Sequence, residues 1–328
     1  MYINEIIRIT YKCNWDCKFC NVINVNNFGK DDISEKEIVF NILSLGKKYS
    51  KEELGDLILS FSGGEPTLNK NLAKYIRLAK NIGIGTIQIQ TNGTILFKKK
   101  ELLFDLIEAG LDELFLAQHG HIDFINKEMG CFYKQDNFVE WINFIKKNKL
   151  QDKIKLRINI VICKINLAII LDYLIFLKNL DFLEKFCDGY MSLGFVQPNG
   201  YAEINAEEVL LKYTEDEILE IDNIIRFAED NNIFLDLHYT CPPLCIINYP
   251  QYNLENKNLN KLKIDIENDT LIAENLKKFK YLWNEKIKFR ECSNCKYNNF
   301  CKGFYKNWIK FVGEEFVKNK VKNFLLIK

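Results

Sequence analysis

The chain has 328 residues, 48% of them hydrophobic and 27% charged, with a net charge of +1 at pH 7. That composition supports one large core or two ordinary ones and excludes a disordered chain. The near balance of charge offers no global basic surface for nucleic acid and no acidic tail.

The first residues, MYINEIIRITYKC, place Glu5 and Arg8 where a signal peptide needs an unbroken apolar core. The longest apolar run, near residues 167–177, is interrupted by Asp172 and is too short to span a bilayer. A cytoplasmic protein is therefore expected, with neither nucleic acid nor a membrane as partner. Eleven cysteines in such a chain point to metal binding or redox chemistry rather than a disulfide framework.

In chain order, INEIIRIT (3–10) reads as a strand that feeds directly into a cysteine-rich loop. Ser34 is placed to cap a helix over 35–48, with Glu37 at the capping-box position. LILSF (57–61) is a second strand, 70–82 a helix, TIQIQ (86–90) a third strand and 99–109 a helix ending before Gly110. ELFLA (113–117), a helix over 136–148, IKLRINIVI (154–162), a helix over 167–180 and YMSLGFV (190–196) continue the alternation. Strands alternating with helices imply parallel pairing. Six such units predict an α/β fold, a partial (β/α)6 TIM-like barrel, although an open doubly wound sheet has the same local pattern.

After NGYAE (199–203) the rhythm changes, which places a domain boundary near residue 205: a barrel over 1–205 and a small cysteine-rich region over 206–328. The second part reads as a helix over 215–231, a short strand FLDLH (234–238), the segment CPPLC, a polar stretch over 251–270, a helix near 271–285, a second cysteine cluster over 292–301 and an amphipathic C-terminal helix.

The loop after the first strand reads CNWDCKFC, with Cys13, Cys17 and Cys20 in a C-x3-C-x2-C array. Three thiolates are too few for a closed zinc site, which also favours C-x2-C pairs, and odd in number for disulfides. They suffice for three irons of a [4Fe–4S] cube, whose fourth iron stays open when only three cysteines bind. In a β/α barrel this loop lies at the C-terminal mouth, where chemistry is done. The second strand is followed by GGEP (63–66), the third by QTNG (90–93) and the fourth by AQHG (117–120). Three cysteines, GGEP and TNG, each at a strand end, resemble the radical S-adenosylmethionine (SAM) enzymes over roughly residues 3–200. Phe19, the aromatic residue before the last cysteine, fits that pattern, whereas Gln118 stands where relatives often have serine.

The resemblance implies that SAM chelates the open iron through its amino and carboxylate groups. Reductive cleavage then yields a 5′-deoxyadenosyl radical that takes hydrogen from a C–H bond, with a flavodoxin or ferredoxin as the reducing partner. It also implies cofactor-binding roles. Glu65 would accept from the SAM ammonium, and Gly63 and Gly64 would let the backbone approach. Thr91 and Asn92 would hold the ribose or methionine end. Gln118, Arg157 and Asn159 would serve ribose and carboxylate, and Phe195 and Gln197 the adenine edge. The histidines His119, His121 and His238 have no ligand spacing and read as structural.

CSNCKYNNFC places Cys292, Cys295 and Cys301 in a C-x2-C-x5-C array, and CPPLC upstream adds Cys241 and Cys245. This is similar to the auxiliary-cluster region of the SPASM/twitch subgroup, except that Tyr305 stands where a further cysteine is usual. One auxiliary [4Fe–4S] cluster is expected on Cys245, Cys292, Cys295 and Cys301, with Cys241 as the rival for the first place. The same four thiolates would also make a closed zinc site. Of the remaining thiols, Cys131 and Cys163 lie on the mouth side and Cys187 at the far end, so Cys131 and Cys163 are the candidate hydrogen donors to a product radical. Free cysteines are usually small buried hydrophobes.

Family members with auxiliary clusters of this kind largely modify peptides by crosslinking, epimerisation or oxidation. A peptide or protein substrate is therefore the first reading. This chain begins at its first strand, so a leader peptide would need a separate binding protein or the C-terminal region. The alternative is a small-molecule dehydrogenase or epimerase acting on a carbohydrate-like substrate. The molybdenum-cofactor cyclase is similar in size, but its C-terminal three-cysteine cluster has a longer second gap. A zinc-stabilised interaction protein is the non-enzymatic alternative, disfavoured by Glu65 and the TNG turn.

Overall fold

The computed structural model describes residues 3–21, 32–186, 190–237, 242–247, 286–298, 301 and 303–326. Seven strands form one parallel sheet in strict chain order: β1 (Ile3–Thr10), β2 (Leu57–Gly63), β3 (Thr86–Thr91), β4 (Glu113–Ala117), β5 (Lys155–Ile162), β6 (Tyr190–Phe195) and β7 (Phe234–Asp236). Every neighbouring pair is parallel. A doubly wound sheet reverses its strand order at a switch point. The unbroken order here is that of a barrel wall, so the expected partial TIM-like barrel is the observed fold.

The helices are α1 (Glu35–Lys48), α2 (Lys51–Asp56), α3 (Leu72–Asn81), α4 (Thr94–Lys98), α5 (Leu102–Glu108), α6 (Asp123–Glu128), α7 (Gln135–Lys147), α8 (Ile170–Asn179), α9 (Phe182–Lys185), α10 (Tyr201–Ile204), α11 (Ala206–Val209) and α12 (Glu215–Asp230). Ser34 caps α1 by accepting from the Glu37 N–H. Both reciprocal capping-box bonds form at α2, through Ser50 and Glu53, and at α12, through Thr214 and Glu217.

The strands alternate. Ile7, Ile9, Leu59, Phe61, Ile87, Ile89, Leu114, Leu116, Ile158 and Ile160 are buried on the helix-covered face, in one apolar core. The other face carries Arg8, Ser60, Ser62, Gln88, Gln90, Glu113, Arg157, Asn159 and Ser192. Period-2 side-chain geometry thus gives the wall a greasy outside and a polar concave inside.

The strand over 234–236 pairs with β6 through Tyr190↔Phe234 and Ser192↔Asp236. The parallel sheet therefore continues past residue 205. The later segment forms a two-stranded antiparallel ribbon, β8 (Lys286–Ile287) with β9 (Phe304–Tyr305), followed by α13 (Lys306–Val312) and α14 (Glu314–Leu326). Cys187, His238, Cys241 and the stretches expected over 251–270 and 271–285 lie outside the described residues. Among the described residues no helix is long and apolar enough to cross a membrane.

Candidate active site

The cysteine loop leaves β1 at Thr10 and is fixed on three sides. Towards β2, Gly64 N–H donates to Thr10 O (2.8 Å) and Glu65 N–H to Lys12 O (2.7 Å). A Cβ on Gly64 would stand 2.1 Å from Lys12 O, and one on Gly63 2.2 Å from Thr10 O. The close approach expected of these glycines is thus made, in this structure, to the root of the cysteine loop. Towards β4, Asp16 N–H donates to Gly130 O and Lys18 N–H to Met129 O, both at 3.0 Å. Towards β6, Tyr201 N–H donates to Cys20 O (3.0 Å), Asn205 Nδ2 to Lys18 O (3.1 Å) and Asn21 Nδ2 to Gln197 Oε1 (3.1 Å).

Side chains inside the loop add to this bracing. Trp15 N–H donates to Cys13 Sγ (3.4 Å), and the Trp15 indole donates to Thr94 Oγ1 (2.9 Å) while stacking on Tyr133 at 5.4 Å. Phe19 is buried and meets the edge of His119 at 5.0 Å. Cys13, Cys17 and Cys20 are all half-buried. Burial and neighbouring thiols push the Cys13 thiol up to about 12, even though the Trp15 N–H opposes the shift. Cys17 is raised as well, by its contact with Cys131 and by burial. Thiols in such surroundings become thiolates only beside a strong positive charge, and a coordinated metal supplies one.

Glu65 sits behind this loop and is 1% exposed. Its Oε1 accepts from Thr67 N–H (2.9 Å), Thr67 Oγ1 (2.5 Å) and Thr91 Oγ1 (2.6 Å), and its Oε2 from Asn92 N–H (2.8 Å). Burial pushes this carboxyl up while the four donors pull it back. The carboxylate expected to meet a ligand ammonium is therefore first a clamp between the GGEP and TNG turns. Thr91 is committed to the same clamp. Asn92 turns to the cysteine loop, donating to Asn14 Oδ1 (2.8 Å) with Cys13 Sγ at 4.0 Å, while its Oδ1 caps Thr94 N–H. Gln118 is fully buried: Nε2 donates to Asn92 O (2.9 Å) and Ala117 O (2.8 Å), and Oε1 has no hydrogen-bond partner.

Below the loop, the concave face carries a polar chain. Ser60 Oγ donates to Gln88 Oε1 (2.6 Å), Gln88 Nε2 to Glu113 Oε1 (2.5 Å), and Arg157 Nε lies 3.2 Å from that same oxygen. Ser62 Oγ donates to Gln90 Oε1 (3.0 Å). Burial raises the Glu113 carboxyl and Arg157 partly offsets the shift.

These placements bear on several expected roles. Arg157 is in the first half of β5, away from the mouth, with its charge paired to Glu113. Phe195 has the buried parity of β6 and packs against Tyr213 on the helix-covered face. Cys163 is 0% and Cys131 1% exposed, in an apolar pocket with Trp15, Phe19, Met129 and Tyr133 beneath the loop. Burial pushes Cys163 up to about 11. Both thiols are sealed in this pocket. Asn159 remains on the concave face and Gln197 at the loop's edge.

Tyr133 and Gly130 were missed as supports of the cysteine loop. A signal existed for the polar chain: Ser60, Ser62, Gln88 and Gln90 occupy alternate positions of their strands. None existed for Gly130, whose importance lies in a contact 114 residues back along the chain.

The second cysteine group also converges. Cys245, Cys292, Cys295 and Cys301 line one cavity with Pro243, Leu244, Lys288, Phe304, Val321 and Phe324. The β8–β9 ribbon closes the loop that carries three of them, and Gly303 (φ +85°) passes so close to Ile287 that a Cβ would meet its carbonyl oxygen at 2.2 Å. Burial, then the other thiols, raise Cys245. Among the described residues no three Cys, His, Asp or Glu side chains are gathered tightly enough to hold a single metal ion.

Residues 7–170 match the Radical SAM superfamily, half of the chain. The chain belongs to the radical SAM superfamily. It is thus an enzyme of a family whose members use a [4Fe–4S] cluster, SAM and a reductant. It is 27% identical over 218 residues to a probable GTP 3′,8-cyclase of Sulfolobus acidocaldarius, covering 66% of each chain. It is 30% identical over 162 residues to one of Sulfurisphaera tokodaii, covering 49% of this chain and 48% of that protein. The matched segment thus spans about two thirds and about half of these relatives. Among solved structures, SuiB of Streptococcus suis bound to S-adenosylmethionine superposes with a TM-score of 0.60 at 16% identity, covering 94% of this chain and 74% of that one. The enzyme anSMEcpe with bound AdoMet superposes with 0.58 at 16% identity, covering 99% of both. These likenesses show the fold.

Proposed function

We propose that Cys13, Cys17 and Cys20 hold a [4Fe–4S] cluster that leaves one iron for SAM, and that Cys245, Cys292, Cys295 and Cys301 hold a second, fully ligated cluster. The donor sets fit: three thiols on a braced loop at the barrel mouth, and four around one cavity. Bound there, cluster and SAM would supply one-electron cleavage of the sulfonium and hydrogen abstraction from a substrate C–H bond. The chain's own part is positioning. The Glu65 clamp fixes the GGEP and TNG turns against the loop, Asn92 and Trp15 present N–H groups to Cys13, and the buried Gln118 Oε1 awaits a donor that a ligand's ammonium or hydroxyl would provide. On Glu65, Oε2 has one donor only and is the oxygen left to meet the SAM ammonium. Gln197 and Asn159 are the remaining candidates for contacts around the mouth.

We take an oxidative modification of a peptide or protein as the reaction. The observation that carries it is the fourth thiol. With Cys245 joining the other three, the auxiliary site has no open position for a substrate and is suited to accept an electron from a substrate radical. The SuiB fold neighbour, solved with its precursor peptide SuiA, is compatible with this reading. A small-molecule substrate is the second reading, favoured by the name of the curated relatives, and GTP is then the compound to test. A flavodoxin or ferredoxin would deliver the electron, and a separate protein could present a leader peptide.

The test is iron and sulfide content after anaerobic reconstitution, with 5′-deoxyadenosine assayed with dithionite and SAM. About eight irons in the wild type, and about four in a variant with Cys13, Cys17 and Cys20 all changed to alanine, are expected, with deoxyadenosine from the wild type only. About four irons in the wild type and none in the variant would remove the second cluster. GTP-dependent deoxyadenosine formation with a purine product would replace the peptide reading by the small-molecule one.

A further inference from the structure

The position of the Cys131 thiol is tightly determined. Its sulfur lies 3.7 Å from Cys17 Sγ. Both backbones are fixed where the sulfurs meet: Asp16 and Lys18, on either side of Cys17, donate to Gly130 and Met129, on the N-terminal side of Cys131. Gly130 has φ +82°, and a Cβ there would stand 1.9 Å from Asp16 O. Cys131 is further held by its N–H to Asn126 O (2.8 Å). The two thiols differ in access, Cys17 being half-buried and Cys131 sealed. That asymmetry suits an attacked thiol and a protected one that resolves it.

We propose that Cys131 is the resolving thiol of Cys17, forming a reversible disulfide with it when the cluster is lost to oxidants of the peroxide class. Iron loss frees Cys17. Hydrogen peroxide oxidises its sulfur to a sulfenic acid and releases one water. The Cys131 sulfur then displaces the hydroxyl, which leaves as a second water with the thiol proton. Two thiols and one peroxide thus become one disulfide and two waters. The S–S bond stops Cys17 from advancing to irreversible sulfinic and sulfonic acids, and a dithiol reductant returns both thiols for reloading. The inference rests on the reading of Cys17 as a cluster ligand.

The test uses the full-length, iron-loaded protein, exposed to hydrogen peroxide, alkylated, digested and mapped by mass spectrometry. A peptide pair linked through Cys17 and Cys131 is expected, which disappears with dithiothreitol. After that reduction, iron loading returns to the starting level in the wild type and falls several-fold in Cys131→Ser, with Cys17 found as sulfinic or sulfonic acid. The wild-type map alone decides the matter if the variant is unstable. Cys17 linked to Cys13 or Cys20, or Cys131 fully alkylated while Cys17 is oxidised, would overturn the proposal. A failure of the three loop cysteines to load iron at the outset would instead overturn the ligand reading.

Discussion

His119 is 2% exposed, and its Nδ1 accepts from the Val161 N–H at 3.1 Å, so a proton added to the ring would displace a bond and bury a charge. Burial lowers its pKa from the ordinary 6.5 to about 3. The folded ring therefore stays neutral at pH values where an unfolded one is charged. A depressed folded pKa contributes stability that is complete above 6.5 and is lost as pH falls from 6.5 towards 3. Over that window one extra proton binds to the unfolded chain, a slope of about 1.4 kcal/mol per pH unit from this residue. His119→Asn keeps an acceptor for the Val161 N–H and removes the titration. Its unfolding free energy, measured by denaturant between pH 4 and 7, should fall less steeply with acid than that of the wild type by about one proton. Parallel pH profiles would show that the imidazole is not the group that titrates.

At the scale of elements, the loop that carries three cysteines is an ordinary connection made rigid by its neighbours. Two backbone hydrogen bonds to the 129–130 segment require Gly130, on both steric and conformational grounds. Gly130→Ala forces a side chain into a φ of +82° and into Asp16 O, a strain of about 1–3 kcal/mol before any clash. Iron bound at the loop should drop several-fold while the C-terminal thiols still load; full loading with an unchanged unfolding midpoint would show that the clamp is dispensable. The contrast between this glycine and the GGEP pair marks what the sequence can disclose. Strand order, the cysteine loop and the turns after β2 and β3 follow from local pattern, because each is a run of residues with its own periodicity or turn chemistry. The bonds that Glu65 and Thr91 make within the chain, and the face on which Phe195 lies, were not legible from the motifs, because motif position says which turn a residue occupies and not which way it points. Phe195 illustrates the remedy, since its parity with Met191 and Leu193 in β6 already put it on the apolar face. The pairing of the seventh strand, three residues long, with β6 was not legible because pairing partners are not written locally.

At the scale of the whole molecule, the concave polar wall and the C-terminal thiol cavity must hold a fixed relation if an electron is to pass between them, and Trp308 is a principal link. Its indole N–H donates to Leu211 O (2.8 Å), its ring stacks on Phe304 of β9 at 6.0 Å, and Tyr213, at the entry to α12, lies 5.6 Å away. One side chain thus joins the ribbon that closes the thiol loop to the helix preceding β7. Trp308→Ala should cost about 3–5 kcal/mol, as expected for a large buried ring. Trp308→Phe retains most of the apolar contact and loses the hydrogen bond, for about 1 kcal/mol. In Trp308→Ala the loss falls on the junction, so denaturation should split into two steps, the C-terminal thiols becoming reactive to alkylation before the barrel loses its circular dichroism. A single transition, with thiol exposure and loss of ellipticity coincident in both variants, would mean that the ribbon and the barrel are held together by the remaining contacts and that Trp308 only fills space.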